Sequence, residues 1–277
     1  MFLGLPRRSR RARPRLRTAA AALAALALAA FAHARPDPPT RWALVVGVGD
    51  YANYGDEEGG DLFGSAADAR NLRDVLVARW GFRPEHVRLL TDSAATRDAI
   101  RAAFTEWLPA AAKPGDLVVF YFSGHGSQVL DESGDEDDGL DETLCPADVL
   151  RRDAARDIRD DELNAWLRAL PTREVTVILD ACHSGTATRA FGPGIRRKAL
   201  ARPEPDPLRD APRPAPAERP GNATDATDAA DGVLEISASQ ADQFAVETVV
   251  EENGVARAGG AFTVPLVRHL WQLPTGT

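Results

Sequence analysis

Apolar residues in this chain alternate between short continuous runs and helical stripes. Continuous runs at 42–48, 86–90, 116–122 and 175–179 predict four strands. Apolar positions three or four residues apart predict helices over about 65–80, 100–108 and 160–170. Strands that alternate with helices indicate βαβ units, and the third and fourth runs are apolar throughout, as in a sheet covered on both faces. We therefore expect an α/β domain with a mostly parallel sheet between two layers of helices.

The pattern changes at residue 192. Residues 192–231 contain eight prolines and many alanines. Such a segment cannot bury enough apolar surface to offset its ordering entropy, so we predict a disordered Pro/Ala-rich linker. A fifth strand at 233–239 and a closing helix with Phe262, Leu266 and Leu270 on one face follow it.

The first 34 residues have the pattern of a secretory signal peptide. Seven arginines precede an Ala/Leu run from Thr18 to Ala32, and Ala32-His33-Ala34 matches a cleavage site. The apolar run is shorter than the ~20 residues that a membrane span needs. We expect export to the periplasm or the medium without stable membrane insertion. An uncleaved leader that anchors the protein is the alternative.

Charge and cysteine content narrow the classes of partner and site. The formal net charge of −8 argues against nucleic acid as a partner, since phosphate binding needs clustered Lys and Arg. The chain has two cysteines, Cys145 and Cys182, without a C-x-x-C or Cys/His zinc spacing. A single disulfide is the simple alternative in an oxidising compartment, but the surroundings of Cys182 favour chemistry.

A histidine and a cysteine follow the third and fourth predicted strands. His125 lies in Ser-Gly-His125-Gly and Cys182 in Asp-Ala-Cys182-His-Ser-Gly. Parallel sheets present functional groups at the carboxyl ends of their strands, so the thiol and the imidazole are expected to lie side by side as nucleophile and base. The backbone N–H groups of Gly126 and Cys182 are expected to stabilise an oxyanion. Either residue alone is also explained as a buried or loop residue, whereas the combination favours catalysis.

The residues around this pair resemble the metacaspase branch of the caspase-like cysteine peptidases, family C14. The resemblance rests on Tyr-Phe-Ser-Gly-His125-Gly-Ser-Gln, on Asp-Ala-Cys182-His-Ser-Gly and on their interval of 57 residues. It implies a caspase-like three-layer sandwich, a Cys–His dyad and a large-subunit-like catalytic portion over 41–191. Residues 232–277 would be a small-subunit-like portion. Such sheets usually gain a strand after the last helix and the sequence shows none there, so a truncated and a complete small portion are both left open. We favour a monomer.

The resemblance also implies a substrate class. Asp180 stands where true caspases carry glutamine, and Asp68 and Ser123 match the other pocket residues of metacaspases. Two carboxylates bind Arg or Lys through charge-assisted hydrogen bonds, so we expect cleavage of proteins or peptides after Arg or Lys. The alternatives are a helix-capping role for Asp68 and a structural role for Asp180.

Calcium control is a further implication of the resemblance. Residues 131–142 include eight acidic residues, and their spacing does not fit an EF-hand. The calcium ligands of similar metacaspases match Asp141, Asp160 and Asp161. Arg189 stands where some members have a fourth aspartate, and its charge opposes a cation. Ordinary solvated surface and a helix N-terminal role for the two adjacent aspartates are the alternatives.

Self-cleavage in the linker is the last implication. A flexible basic segment suits an acidic pocket, while a plain spacer is the alternative. The basic residues of the linker are Arg196, Arg197, Lys198, Arg202, Arg209, Arg213 and Arg219.

For the whole chain, the main alternative function is a catalytically silent caspase-fold module that binds peptide or calcium. A third possibility, a membrane-tethered scaffold, would require an uncleaved leader.

Overall fold

In the part of the chain that the structure describes, a five-stranded sheet forms the centre. Its strands are β1 (Arg41–Gly47), β2 (Val87–Thr91), β3 (Leu117–Ser123), β7 (Val175–Asp180) and β9 (Val233–Ser237). They lie in the order β2-β1-β3-β7-β9. All four of its strand pairs are parallel, which confirms the arrangement expected from alternating strands and helices.

This computed structural model describes residues 38–54, 60–131, 139–151, 153–182, 195–200, 233–238, 245–252 and 255–274. The predicted signal peptide, most of the predicted linker and Arg189 lie outside these residues. None of the helices within them is long and apolar enough to cross a bilayer.

Helices cover both faces of the sheet, as expected for a three-layer sandwich. Successive side chains of a strand point to opposite faces, so Phe120 and Phe122 face one helical layer and Tyr121 the other. The layer on Tyr121 consists of α1 (Ser65–Arg79) and α5 (Thr263–Gln272). The other layer consists of α2 (Arg97–Ala102), a π turn (Ala103–Trp107), α3 (Leu108–Ala111) and α4 (Asp160–Arg168).

Two small antiparallel sheets accompany the central one, and the sequence pattern did not predict them. The strands of the first sheet are β4 (Gly126–Leu130), β5 (Leu140–Leu144) and β6 (Ile158–Arg159). Those of the second are β8 (Ile195–Arg197), β10 (Val246–Glu252) and β11 (Val255–Gly260). In the first sheet β5 pairs with both β4 and β6, and in the second β10 pairs with both β8 and β11.

Strand β8 corrects the prediction of a disordered linker over 192–231. That prediction is wrong for residues 195–200: Ile195–Arg197 pair with β10, and the side chains of Lys198 and Leu200 are buried. The average composition of residues 192–231 could not predict this segment, because its order comes from tertiary contacts rather than from local propensity. Residues 201–231 lie outside the described part of the chain.

Candidate active site

His125 and Cys182 follow adjacent strands at the same edge of the central sheet. Ser123 at the end of β3 is the register partner of Asp180 at the end of β7, and each reactive residue comes two positions later. Both reactive side chains are completely buried. The two backbones approach so closely that a Cβ on Gly126 would lie 2.0 Å from the Cys182 carbonyl oxygen. The structure therefore brings together the two residues that the strand ends indicated.

Backbone groups and a tyrosine orient the imidazole of His125. Its Nε2 lies 2.8 Å from the Gly60 carbonyl oxygen. Since a carbonyl can only accept, Nε2 carries the proton there and Nδ1 is left as the basic nitrogen. Nδ1 is buried and has no hydrogen-bond partner among the described residues. The backbone N–H of His125 donates to the Tyr51 hydroxyl at 2.6 Å, and the two rings are 4.8 Å apart.

The reactive pair is neutral in this state. Burial lowers the pKa of His125 to about 4 and raises the pKa of Cys182 to about 11. The thiol donates to the Ala245 carbonyl oxygen, with 2.9 Å between Sγ and O. A thiol at neutral pH must therefore transfer its proton to an imidazole before it can act as a nucleophile.

Two backbone donors converge on one carbonyl oxygen beside this pair. The N–H groups of Gly126 and Cys182 donate to the Lys198 carbonyl oxygen at 2.9 and 3.2 Å. They are the two groups expected from the sequence to stabilise an oxyanion. Donors fixed in this way stabilise negative charge as it develops on a carbonyl oxygen under attack.

The side chain of Lys198 enters the pocket predicted for a basic residue. Its Nζ lies 2.9 Å from Asp180 Oδ2, 2.7 Å from Ser123 Oγ and 3.9 Å from Asp68 Oδ2. All four side chains are buried. Burial raises the pKa of Asp68 to about 7, against the opposing effect of the Lys198 ammonium. The structure therefore brings the three predicted pocket residues together around an ammonium group that was not expected there.

Strand β11 and helix α5 hold the two carboxylates in place. Asp68 Oδ2 accepts a 2.7 Å hydrogen bond from the Gly260 N–H, and Asp180 Oδ2 accepts one from the Thr263 hydroxyl. A Cβ on Gly260 would lie 2.0 Å from Asp180 Oδ2, so this position must lack a side chain. The capping alternative for Asp68 is not observed, because α1 begins at the N-cap Gly64 without a side-chain cap.

Several groups at this site had no detectable signal in the sequence. Gly60 and Ala245 act through carbonyl oxygens, which every residue has. Tyr51 lies far along the chain from His125, and Lys198 was one basic residue among the seven of the linker. Only the fold shows where these four residues meet.

The predicted calcium ligands lie on β5 and at the start of α4. Asp141 is buried, and its pKa is raised to about 7 by burial first and then by the neighbouring charges of Asp160 and Asp131. Its Oδ2 lies 3.5 Å from an Arg159 nitrogen. Within the described part of the chain, no three His, Cys, Asp or Glu residues are grouped closely enough to hold a metal ion.

The two cysteines are separate in the structure. Both are buried and neither forms a disulfide, so the disulfide alternative is not observed. Cys145 packs in the core below the site, and its backbone N–H donates to the His125 carbonyl oxygen at 3.0 Å.

Comparisons with known proteins point to one family. Residues 41–190, slightly more than half of the chain, match the profile of the metacaspase, peptidase C14 domain. The chain is 41% identical over 156 residues to Metacaspase-1 of Pyricularia oryzae, covering 53% of this chain and 37% of that protein. It is 41% identical over 152 residues to Metacaspase-2 of Arabidopsis thaliana, covering 52% and 34%. The matched part spans about a third of the length of these relatives.

A solved structure shares this fold over most of the chain. The crystal structure of a protein from Geobacter sulfurreducens superposes with a TM-score of 0.53 at 28% sequence identity, covering 83% of this chain and 81% of that one. This similarity and the sheet order confirm the predicted caspase-like three-layer sandwich.

The buried neutral state of His125 predicts a specific loss of stability in acid. Its pKa is about 4 when folded and ~6.5 when unfolded, so below pH 6.5 the unfolded chain binds a proton that the folded chain does not. The stabilisation is thus complete above pH 6.5 and is lost as the pH falls towards 4. In a Cys182→Ala background, the free energy of unfolding should fall by about 3 kcal/mol less between pH 7 and pH 4 when His125 is changed to Gln, as measured by urea unfolding at both pH values.

The exposed His269 on α5 provides the matched control for this measurement. His269→Gln should keep the pH dependence of the parent. An identical loss in the parent and in His125→Gln would show that His125 is not a buried neutral group.

Proposed function

Because this chain belongs to the metacaspase family of C14 cysteine peptidases, we propose that it cuts peptide bonds after Lys or Arg. We further propose that its first substrate is its own chain, at the bond between Lys198 and Ala199. Cys182 is the nucleophile and His125 the general base and acid. The single observation that carries the proposal is the position of Lys198. Its side chain lies between the carboxylates of Asp68 and Asp180, and its carbonyl oxygen accepts hydrogen bonds from the N–H groups of Gly126 and Cys182.

Residues 195–200 lie across the site as an extended peptide. Before the proposed cleavage point, β8 pairs antiparallel with β10, and the Lys198 N–H donates to the Ala245 carbonyl oxygen at 3.0 Å. After it, the Leu200 N–H donates to the Gly126 carbonyl oxygen at 2.9 Å, and the Leu200 side chain is buried. The peptide is thus held on both sides of the Lys198 carbonyl group. Substrates held in one geometry for attack gain rate because the entropy of alignment is already lost.

The geometry supports a covalent route through a thioester. His125 Nδ1 takes the thiol proton, and the thiolate attacks the Lys198 carbonyl carbon. The oxygen of the tetrahedral intermediate keeps the Gly126 and Cys182 N–H bonds. Collapse breaks the C–N bond to Ala199, whose nitrogen takes the proton from the imidazolium. Water, deprotonated by His125, then hydrolyses the thioester and regenerates the thiol.

Charge in the buried pocket supports selectivity for a basic residue. An ammonium or guanidinium group in the substrate compensates the carboxylates of Asp68 and Asp180, and Arg can bind a carboxylate with two hydrogen bonds. A substrate aspartate would add a third negative charge to a buried site, which is strongly unfavourable without a counter-ion. The same reasoning explains why Lys198 blocks the site against other substrates until its bond is cut and the segment leaves.

Self-cleavage is tested by the mass and the new N-terminus of the fragments. The wild-type chain and Lys198→Arg should yield a fragment beginning at Ala199. Cys182→Ala should stay intact because it lacks the nucleophile, and Lys198→Asp should stay intact at this bond because the pocket rejects a carboxylate. Mass spectrometry and N-terminal sequencing of purified protein give the readout.

Cys145→Ala is the matched control for Cys182→Ala, and it should be cut like the wild type. Cleavage of Cys182→Ala after Lys198 would assign the cut to another protease. Efficient cleavage of Lys198→Asp at the same bond would contradict the proposed pocket.

We propose that calcium stimulates the enzyme through Asp141, Asp160 and Asp161. Mutual repulsion of carboxylates near Asp141 supports this, since hard cations prefer oxygen ligands and relieve such repulsion. Because the described side chains are not grouped closely enough to hold a metal, binding would have to draw them together.

Calcium should therefore raise the melting temperature of the Cys182→Ala protein, a readout independent of activity. The shift should disappear in Asp141→Asn, and excess chelator should reduce self-cleavage of the wild type. Asp153→Asn, an exposed aspartate outside the proposed ligand set, is the control. Full activity in chelator without a calcium-dependent shift would contradict the proposal.

We propose that residues 1–34 direct export and are then removed. The basic leader, the short apolar run and Ala32-His33-Ala34 support this. N-terminal sequencing of the exported protein should find a mature chain beginning at residue 35. An exported or membrane-bound chain that retains residues 1–34 would contradict removal and favour an anchor.

A further inference from the structure

We infer that Phe63 and the backbone carbonyl of Asp61 form a subsite for an arginine side chain two residues before the basic residue at the cut bond. This inference rests on the proposed function, since it treats β8 as a bound substrate. The ligand chemistry is that of a guanidinium group.

The register of the peptide fixes which residue reaches this subsite. In the pairing of β8 with β10, Arg196 stands opposite Glu247 and Arg197 opposite Val246. Side chains alternate along an extended strand, so Arg196 shares the face of Lys198 and Arg197 takes the other. A substrate whose basic residue fills the Asp68 and Asp180 pocket, and whose carbonyl meets Gly126, must follow the same register.

The contacts of Arg196 match both chemical properties of a guanidinium. Its central carbon lies 3.7 Å from the centroid of the Phe63 ring, within cation–π range. Its Nη1 also donates to the Asp61 carbonyl oxygen. A planar guanidinium can stack on a ring and donate at its edge together, whereas an ammonium cannot stack in this way.

The ring of Phe63 is held ready for this contact. Phe63 is 56% exposed, an unusual position for a large apolar side chain. The buried carboxylate of Glu247 fixes its backbone, accepting 2.7 and 2.8 Å hydrogen bonds from the N–H groups of Phe63 and Gly64. Glu247 is on β10, so this one strand both aligns the substrate backbone and positions the Phe63 ring. This subsite therefore adds a second basic preference to that of the lysine pocket.

The test uses processed enzyme and two fluorogenic peptides, Ile-Arg-Arg-Lys and Ile-Gln-Arg-Lys, that differ only at the proposed subsite. The wild type should prefer the arginine peptide in kcat/KM by roughly three- to thirtyfold, the range of a cation–π contact. In Phe63→Leu this ratio should fall towards one. Trp271→Leu, a change at another exposed aromatic residue on α5, should keep the wild-type ratio.

Three results would overturn the inference. Equal cleavage of both peptides by the wild type would show that Arg196 only fastens β8 in the uncleaved chain. An undiminished ratio in Phe63→Leu would assign the preference to another group. Cleavage of neither peptide, with cleavage of one ending in aspartate, would overturn the proposed function together with the subsite.

Discussion

The interaction between the Lys198 ammonium and the carboxylates of Asp180 and Asp68 is the constraint on which the site depends. Buried carboxylates need a partner, because transfer of an unpaired charge from water to a protein interior is costly. Removing one partner of a buried ion pair typically costs about 3–5 kcal/mol. Asp180 and Asp68 form a compact group with Ser123 and Lys198, and the charges of this group largely compensate one another. The pocket is therefore stable either around a cation or open to water.

That constraint links specificity to inhibition. In the proposed function, a pocket that requires a cation selects Lys or Arg in a substrate, and the same requirement retains Lys198 while the chain is uncut. The rest of the site follows from this placement, since the Lys198 carbonyl oxygen also accepts the hydrogen bonds of the Gly126 and Cys182 N–H groups. The neutral thiol and imidazole are consistent with a resting state, because the thiol still donates to Ala245 and not to a base.

Prediction from sequence succeeded where the signal is local. Periodicity located the central strands because a sheet covered on both faces needs continuous apolar runs. His125 and Cys182 could be proposed because both follow such runs directly. Asp68, Ser123 and Asp180 came only from the family resemblance, since nothing in their spacing shows that Asp68 on α1 meets the end of β7. Strand β8 and the positions of Lys198 and Tyr51 could not be found, because non-local contacts create them.

The central claim is that Lys198 lies in the pocket of the uncleaved chain, and amine labelling tests it most directly. The sequence contains only two lysines, the exposed Lys113 and the buried Lys198. Reductive methylation of the folded Cys182→Ala protein, followed by mass spectrometry, should modify Lys113 quickly and leave Lys198 protected until urea unfolds the chain. Modification of Lys198 at the rate of Lys113 in the folded protein would contradict the account.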